Sequence, residues 1–379
     1  MELTKIEAEW SANYIINYYK NMHSIKDYQT VVKLARMEEL PQPLFGMGGL
    51  EDDLFIDYDM HPKDMKFKII DCSKDSYYDL GHTSELLEIT TSAPVEASNG
   101  PVRRLCWIVL EENTNKVIGF VRVCSPYMNC KPRHDWLGGV PKDSDAFKRF
   151  NQHVNMGTVI VPVQPFGFNY IGGKLLALLC MAHETREAFN KKYGTDIVLF
   201  ETTSLYGSSK SSSQYDGMKP FLRYKGLTDS NFAPLLHDQH FRDLEKWFMD
   251  RNGGVRMSTA PTSRKMRAQG RMIAITRKFL GKGHPLLGEL DKQLKKMRDI
   301  QEQKRYYIST LGFSNSREVI LGLEEPKIDT QNHHKFHWDF MLDWWVKKAG
   351  NRFETLRKDG RLRGELETWN SGKDMQIIR

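Results

Sequence analysis

Residues 158–228 constrain the fold of this chain more than any other stretch. TVIVPV at residues 158–163 is short, apolar and β-branched, which is typical of a buried strand. The apolar residues of 172–193 recur at helical intervals, and DIVLFE at residues 196–201 predicts the next strand. A strand, a helix and a strand in this order predict a parallel crossover, with a ligand site at the carboxyl ends of the strands.

The rest of the chain adds strands before this crossover and helices on both sides of it. The patterns predict a helical lead-in over residues 1–42, and strands over residues 65–72, 104–110 and 117–123. They predict helices over residues 218–227, 232–249, 264–280 and 286–307, and a final helical pair over residues 338–350 and 352–369. We therefore expect an α/β (α+β) fold with a mixed sheet, divided into residues 1–60, 61–230 and 231–379.

The net charge of +7 is unevenly distributed. Residues 251–305 contain fifteen Lys and Arg against four Asp and Glu, a net charge of +11, so that the remainder carries −4. A basic helical segment predicts an anionic partner, most simply nucleic acid, with DNA as the first expectation. Six of these cations fall on the predicted helix 264–280: Arg264, Lys265, Arg267, Arg271, Arg277 and Lys278. A solvated helical face is the alternative, and the pattern leaves both open.

Several classes of protein are excluded by the sequence. No run of about 18 apolar residues could span a bilayer, and the acidic N-terminus lacks the features of a secretory signal. We therefore expect a soluble, cytoplasmic protein with no membrane partner. No Walker loop, Ser-His-Asp signature or zinc-metalloprotease helix occurs. Cys124, Cys130 and His134 lack the paired spacing of metal ligands, as do the histidines of residues 333–337, so we predict no metal site.

Two sets of residues at the ends of the predicted strands carry the candidate chemistry. After the first strand, a loop and helix start offer Gln164, Gly167, Gly172, Gly173 and Lys174. Glycines there allow a phosphate to approach backbone N–H groups at a helix N-terminus, although tight packing of strand against helix is the alternative.

The second strand ends in Glu201, which is followed by hydroxyl-bearing residues. A partly buried carboxylate in this place could serve as general base with a tyrosine as acid, and Tyr206, Tyr215 and Tyr224 are the tyrosines in reach. A buried glutamate that accepts hydrogen bonds from loop amides is the alternative.

The motif RHDWLGG at residues 133–139, the strands and helix described above, VLFET at residues 198–202 and YDGMKPFLRYKGL at residues 215–227 resemble the Druantia-type DruA proteins in order and spacing. Those proteins are similar to Mom-type DNA-modification proteins and, more distantly, to GNAT acyltransferases. The resemblance implies a GNAT-like core over residues 61–230, and it places Glu201 in the family's glutamate position.

The resemblance also implies a cofactor and a role. In GNAT acyltransferases the loop after the fourth strand holds the pyrophosphate of coenzyme A, so acyl-CoA is the implied cofactor. Asn169 departs from the last position of the usual Gln-x-x-Gly-x-Gly/Ala signature. The implied function is a GNAT-like transferase that acts on nucleic acid or on a molecule bound to it, in DNA modification or phage-host conflict. Two alternatives stay open, a nucleic-acid-binding protein without chemistry and an N-acyltransferase of a small amine or protein.

Overall fold

A computed structural model describes residues 1–40, 48–91, 103–204, 213–228, 235–260, 264–300 and 303–369. The chain divides into two compact units, each made of two segments. Met1–Ala35 and Ser230–Glu302 form the first, which we call the helical unit, and Arg36–Asp229 and Gln303–Arg379 form the second, which we call the sheet unit. No helix in the described ranges is long and apolar enough to cross a bilayer.

A seven-stranded mixed sheet organises the sheet unit and confirms the predicted fold class. Its strands are β1 (Phe67–Asp71), β2 (Arg104–Glu111), β3 (Lys116–Cys124), β4 (Val154–Pro162), β5 (Leu199–Ser204), β6 (Arg223–Leu227) and β7 (Arg305–Ser309). They lie side by side in the order β1-β2-β3-β4-β5-β7-β6. Neighbouring strands are antiparallel except for β4 and β5, which are parallel.

Helices cover the sheet and build the helical unit. They are α1 (Lys5–Tyr19), α2 (Ile25–Glu38), α3 (Leu80–Thr90), α4 (Lys131–Leu137), α5 (Ser144–His153), α6 (Phe166–Asn169), α7 (Gly172–Met181), α8 (His183–Tyr193), α9 (Asp238–Asp250), α10 (Arg264–Leu280), α11 (Pro285–Asp299), α12 (Ser316–Leu321) and α13 (Trp338–Lys358). The crossover from β4 to β5 runs through α6, α7 and α8, as the sequence predicted.

Alternating side chains of β2 enter two different apolar layers, one on each face of the sheet. Leu105, Trp107 and Val109 belong to the layer that contains α7 and α13, whereas Cys106 and Ile108 belong to the layer that contains α3. This alternation follows from the period of two in a strand. Burial on both faces explains why β2 is apolar from Leu105 to Leu110 and why α7, which is buried except for Lys174, sits inside the first layer.

Three predicted helices are wrong in type or extent. The stretch 218–227, predicted as a helix, ends in β6, and the predicted helix 286–307 ends at Asp299 and is followed by β7. The predicted pair at 338–369 begins as one continuous helix, α13, that runs through Gly350. The two short strands form because β7 pairs with both β5 and β6, and such long-range pairing leaves little trace in a five-residue pattern.

Small and large apolar residues from both segments of the helical unit interdigitate in its core. Ala8 and Ala12 of α1 are fully buried in the same cluster as Leu244, Met272 and Leu290 from α9, α10 and α11. The small residues allow helices to approach closely. The N-terminal segment is therefore part of the core of the helical unit. The second segment of this unit lies between β6 and β7 in the sequence.

Candidate functional site

The two parallel strands separate at their carboxyl ends. β4 and β5 pair only from Val154 with Leu199 to Gly157 with Thr202. Beyond that point β4 continues along β3 as far as Pro162, while β5 continues along β7. The separation opens the middle of the sheet at the end where open α/β sheets bind ligands.

Helix α7 begins beside this opening with a strained residue. Ile171, which precedes the helix, has φ +47° and ψ 43°, and β-branched residues rarely adopt this left-handed region. Such a conformation costs on the order of 1–3 kcal/mol and persists only where the surrounding structure enforces it. The first N–H groups of a helix have no partner in the regular helical pattern, and in α7 the N–H of Lys174 donates to the backbone oxygen of Ile171 at 2.8 Å.

The structure fills the space in front of the three predicted glycines with the protein's own side chains. A Cβ added to Gly172 would lie 2.5 Å from a ring carbon of Phe166, and one added to Gly167 or Gly173 would collide with Gln164 or Gln214. Gln164 accepts a hydrogen bond from the backbone N–H of Phe168 through its Oε1, at 3.1 Å. Close packing therefore accounts for these glycines, and their role in cofactor binding stays a prediction.

Lys174 links the start of α7 to the turn after β5. Its Nζ donates a hydrogen bond to the backbone oxygen of Asp216. Burial lowers the pKa of Lys174, and the charge of the nearby Asp216 acts in the opposite direction. Lys174 therefore connects the first turn of α7 to the turn that contains Asp216.

Glu201 lies at the centre of a fully buried polar network that joins the two motifs of the DruA resemblance. Its Oε1 accepts from Arg133 Nη1 at 2.7 Å, and its Oε2 accepts from Tyr306 Oη at 2.6 Å. The side chains of Arg133 and Glu201 are each 1% exposed. Burial raises the pKa of Glu201, while the charge of Arg133 and the hydroxyl of Tyr306 act in the opposite direction.

Arg133 is held from several sides. Its Nη2 donates to the backbone oxygens of Tyr127 and Met128 at 2.6 and 2.8 Å, and its guanidinium carbon lies 4.5 Å from the ring centre of Phe150. This arrangement fixes the carboxylate of Glu201 and occupies both of its oxygens. The sequence pointed to Glu201 and to the motif containing Arg133, but Tyr306 was missed because it lies in a segment predicted to be helical.

Two of the predicted tyrosines are grouped around a different residue. The rings of Tyr215, which is buried, and Tyr224, which is 46% exposed, lie 5.4 and 5.7 Å from that of Tyr307. Neither is grouped with Glu201 by these contacts. Tyr206 lies outside the described residues. The catalytic roles of Glu201 and the three tyrosines therefore stay predictions.

A second, more accessible network surrounds Tyr307. Its hydroxyl donates to Asp216 Oδ1 at 2.9 Å, and Arg305 lies 3.3 Å from the same oxygen. The guanidinium of Arg305 also lies 4.4 Å from the ring centre of Tyr224. The side chain of Asp216 is 39% exposed. The sequence did not bring Asp216, Arg305 and Tyr307 together, because the strand that carries two of them was not recognised.

Histidines from two distant segments meet on the far end of α7. The ring centre of His183 lies 4.1 Å from that of His333 and 4.9 Å from that of His337. Burial lowers the pKa of His183 to about 4, and its Nε2 lies 3.0 Å from the backbone oxygen of His333. In the part of the chain that the structure describes, no group of three or more His, Cys, Asp or Glu is placed to hold a metal ion.

The six predicted nucleic-acid contacts all lie on α10, but they do not share one environment. Arg264 pairs with Glu245 at 2.8 Å, and Arg277 pairs with Asp291 at 2.8 Å. Lys265 lies 5.4 Å from the ring centre of Phe241 and is half-buried. The other three are exposed at positions spaced for one side of the helix, and we call them the basic ridge: Arg267, Arg271 and Lys278.

Comparison with known proteins identifies the region that contains Arg133 and Glu201 of the first network. Residues 59–210 match the family described as Druantia protein DruA. A curated relative, the Druantia protein DruA of Escherichia coli (strain UMEA 4076-1), is 30% identical over 185 residues, which cover 45% of this chain and 44% of the relative. The chain thus spans less than half the length of the relative that it matches. No solved structure matches the chain significantly.

The matched region starts well before Arg133 and ends before the motif of residues 215–227. It contains both motifs that meet in the buried network, RHDWLGG and VLFET. The resemblance inferred from those motifs is therefore confirmed, and residues 59–210 of this chain are DruA-like.

Proposed function

We propose that this protein is a GNAT-like transferase of an anti-phage defence system, which passes an acyl group from acyl-CoA to nucleic acid or to a molecule bound to it. The observation that carries the proposal is the separation of β4 and β5 beside the start of α7. This is the fourth strand of the sheet, and the loop that follows the fourth strand is where the GNAT resemblance expects the pyrophosphate of coenzyme A. The DruA-like region contains all of β4, α7 and β5.

Backbone N–H groups at the start of α7 would hold the pyrophosphate, and the partly buried Lys174 lies in the first turn of that helix. Isothermal titration calorimetry with acetyl-CoA tests this donor. Lys174→Gln should weaken binding about tenfold, which corresponds to about 1.4 kcal/mol. Lys246→Gln is the matched control, since Lys246 is an exposed lysine on α9. We avoid substituting Gly172 and Gly173, because a side chain there would collide with neighbouring residues whether or not a cofactor binds.

The helical unit supports nucleic acid as the partner. It contains 19 Lys and Arg against 12 Asp and Glu, so that it accounts for the entire net charge of +7. Helix α10 contains no acidic residue, and its basic ridge faces solvent. Cations that contact phosphates release counterions from DNA, and this gives binding a steep dependence on salt.

DNA binding at several salt concentrations tests this part of the proposal. Replacing Arg267, Arg271 and Lys278 together by Ala should reduce the slope of log affinity against log salt by about 2.7, since each phosphate contact adds about 0.9. The matched control replaces three exposed lysines of the sheet unit, Lys63, Lys66 and Lys68, which removes the same charge. Equal slopes for the two triple variants would contradict a contact through the basic ridge.

A nucleic-acid-binding protein without chemistry is the second candidate. The filled spaces in front of Gly167, Gly172 and Gly173 favour it, because a donor needs room at the same helix start. The two candidates differ in the calorimetric experiment. Salt-dependent DNA binding with no heat from acetyl-CoA would support the second candidate and contradict the first.

A further inference from the structure

We infer that Asp216, and not Glu201, is the group that accepts the proton of the attacking amine in the proposed transfer. This inference rests on the proposed function, which it deepens by assigning the acceptor side of the site. A general base must come within about 2.6–3.2 Å of the atom that it deprotonates. Both carboxylates lie near the carboxyl end of β5, so access decides between them.

Glu201 is enclosed. Its side chain is 1% exposed, and both oxygens already accept short hydrogen bonds from Arg133 and Tyr306. Reaching a substrate would require breaking a buried ion pair, which leaves an uncompensated charge in the protein interior. Glu201 is better suited to hold β5, β7 and the segment of Arg133 together.

Asp216 has a partly exposed carboxylate. Its Oδ1 accepts from Tyr307 at 2.9 Å, and its Oδ2 accepts from the backbone N–H of Ser213 at 3.1 Å. Arg305 approaches both oxygens only at 3.3 and 3.4 Å. An ionised carboxylate offers about four acceptor positions, and these four contacts occupy them. A substrate N–H would therefore displace one contact of Arg305, whose two contacts are the longest, and the 39% exposure of the Asp216 side chain gives the substrate access.

The residues around Asp216 suit a planar acceptor. Tyr224 is 46% exposed, and Arg305 stacks over its ring at 4.4 Å and lies 5.7 Å from the ring centre of Tyr307. Exposed aromatic rings that are stacked with arginine bind unpaired nucleobases. We therefore assign the amino group of a nucleobase as the acceptor, with its ring stacked on Tyr224.

The proposed step transfers the acyl group from the thioester of the donor to the amino group of the nucleobase. The amino nitrogen forms a bond to the acyl carbon of the thioester, and the bond between that carbon and sulfur breaks. Asp216 takes the proton that the nitrogen loses and passes it to the leaving thiolate, so that an amide, a free thiol and the unchanged enzyme remain. Tyr307 acts as a positioning residue, since burial and its hydrogen bond to Asp216 raise its pKa to about 12 and keep it a donor at neutral pH.

Release of free thiol from acetyl-CoA in the presence of a single-stranded DNA oligonucleotide tests the inference. Asp216→Asn should lower the rate at least about 100-fold, the lower end of what a general base contributes. Tyr307→Phe removes only a hydroxyl that holds Asp216, and it should lower kcat while leaving the KM for acetyl-CoA unchanged, because the acyl donor does not contact Tyr307. Asp145→Asn, an exposed carboxylate on α5, should behave like the wild type.

The outcomes separate the inference from the proposed function. An active wild type whose rate falls less than threefold in Asp216→Asn would overturn the inference and leave the proposed function intact. The same holds if Glu201→Gln, assayed below its unfolding temperature, loses more activity per folded molecule than Asp216→Asn. A wild type that binds no acetyl-CoA and releases no thiol would overturn both. An unchanged kcat, or a raised KM for acetyl-CoA, in Tyr307→Phe would contradict the assignment of Tyr307.

Discussion

The buried pair of Arg133 and Glu201 makes a prediction at the residue scale. Arg133→Met should lower the free energy of unfolding by about 3–5 kcal/mol, because it leaves the carboxylate of Glu201 buried without its partner. Adding Glu201→Leu should restore part of that loss, since two apolar side chains need no partner. Urea unfolding of the two single variants and the double variant, combined in a double-mutant cycle, measures the coupling. Strictly additive losses would show that the pair is not coupled.

The same pair shows what can be read from sequence for single residues. Glu201 and RHDWLGG were both recognised, but which residue of the motif meets the glutamate depends on how α4 packs against the sheet. Tyr306 could not be identified, because its contact requires β7 to lie beside β5. Asp216 is part of a recognised turn, and its function as a hydrogen-bond acceptor for Tyr307 becomes visible only once that strand is in place.

The histidine cluster gives a prediction at the scale of elements, where α7 passes into α8. Besides His333 and His337, Arg186 lowers the pKa of His183, while Glu184 lies 3.5 Å from His337. The folded protein holds His183 neutral down to about pH 4, whereas an unfolded histidine takes up a proton near pH 6.5. The unfolded state therefore binds more protons between these values, and stability falls as the pH falls through that range.

At pH 5 the loss attributable to His183 should be about 2 kcal/mol relative to pH 7.5. Urea unfolding at the two pH values measures it in the wild type and in His183→Gln, where this part of the loss should disappear. His240→Gln serves as the control, because His240 is exposed on α9. A wild type and a His183→Gln variant with equal pH dependence would contradict the expectation.

Elements with strong local patterns were predicted well. The hairpin of β2 and β3 and the helix α10 lie within a residue or two of their predicted bounds, since apolar runs and helical periodicity are local properties. The predicted helix 172–193 breaks at Ala182, whose backbone is extended. The helical spacing of apolar residues continues across this break, because α7 and α8 pack against the same apolar layer. The sequence pattern therefore does not reveal the break. Likewise Gly350 leaves α13 unbroken, because packing outweighs the cost of about 1 kcal/mol for glycine in a helix.

At the scale of the whole molecule, the N-terminal segment is needed for the folding of the helical unit and not for that of the sheet unit, because it belongs to the core of the helical unit alone. Deleting residues 1–35 removes α1, whose Ala8, Ala12 and Ile15 are buried in the core of that unit. We expect backbone amides of α10 and α11 to lose protection from hydrogen exchange, while those of β2 and β3 keep it. Mass spectrometry of the exchanged protein measures both regions in one experiment. Retained protection in α10 would show that the inserted segment folds without the N-terminus.

The insertion between β6 and β7 also sets an order for biosynthesis. The ribosome completes β5 and β6 early, but β7, which fills the place between them, emerges only after the whole inserted segment. Until then two strand edges lack the neighbour that covers them, and Glu201 lacks the hydroxyl of Tyr306. Uncovered edges invite pairing with other chains. Translation that stops before Ser309 should therefore yield products that depend on chaperones, even though most of the sheet has already been made.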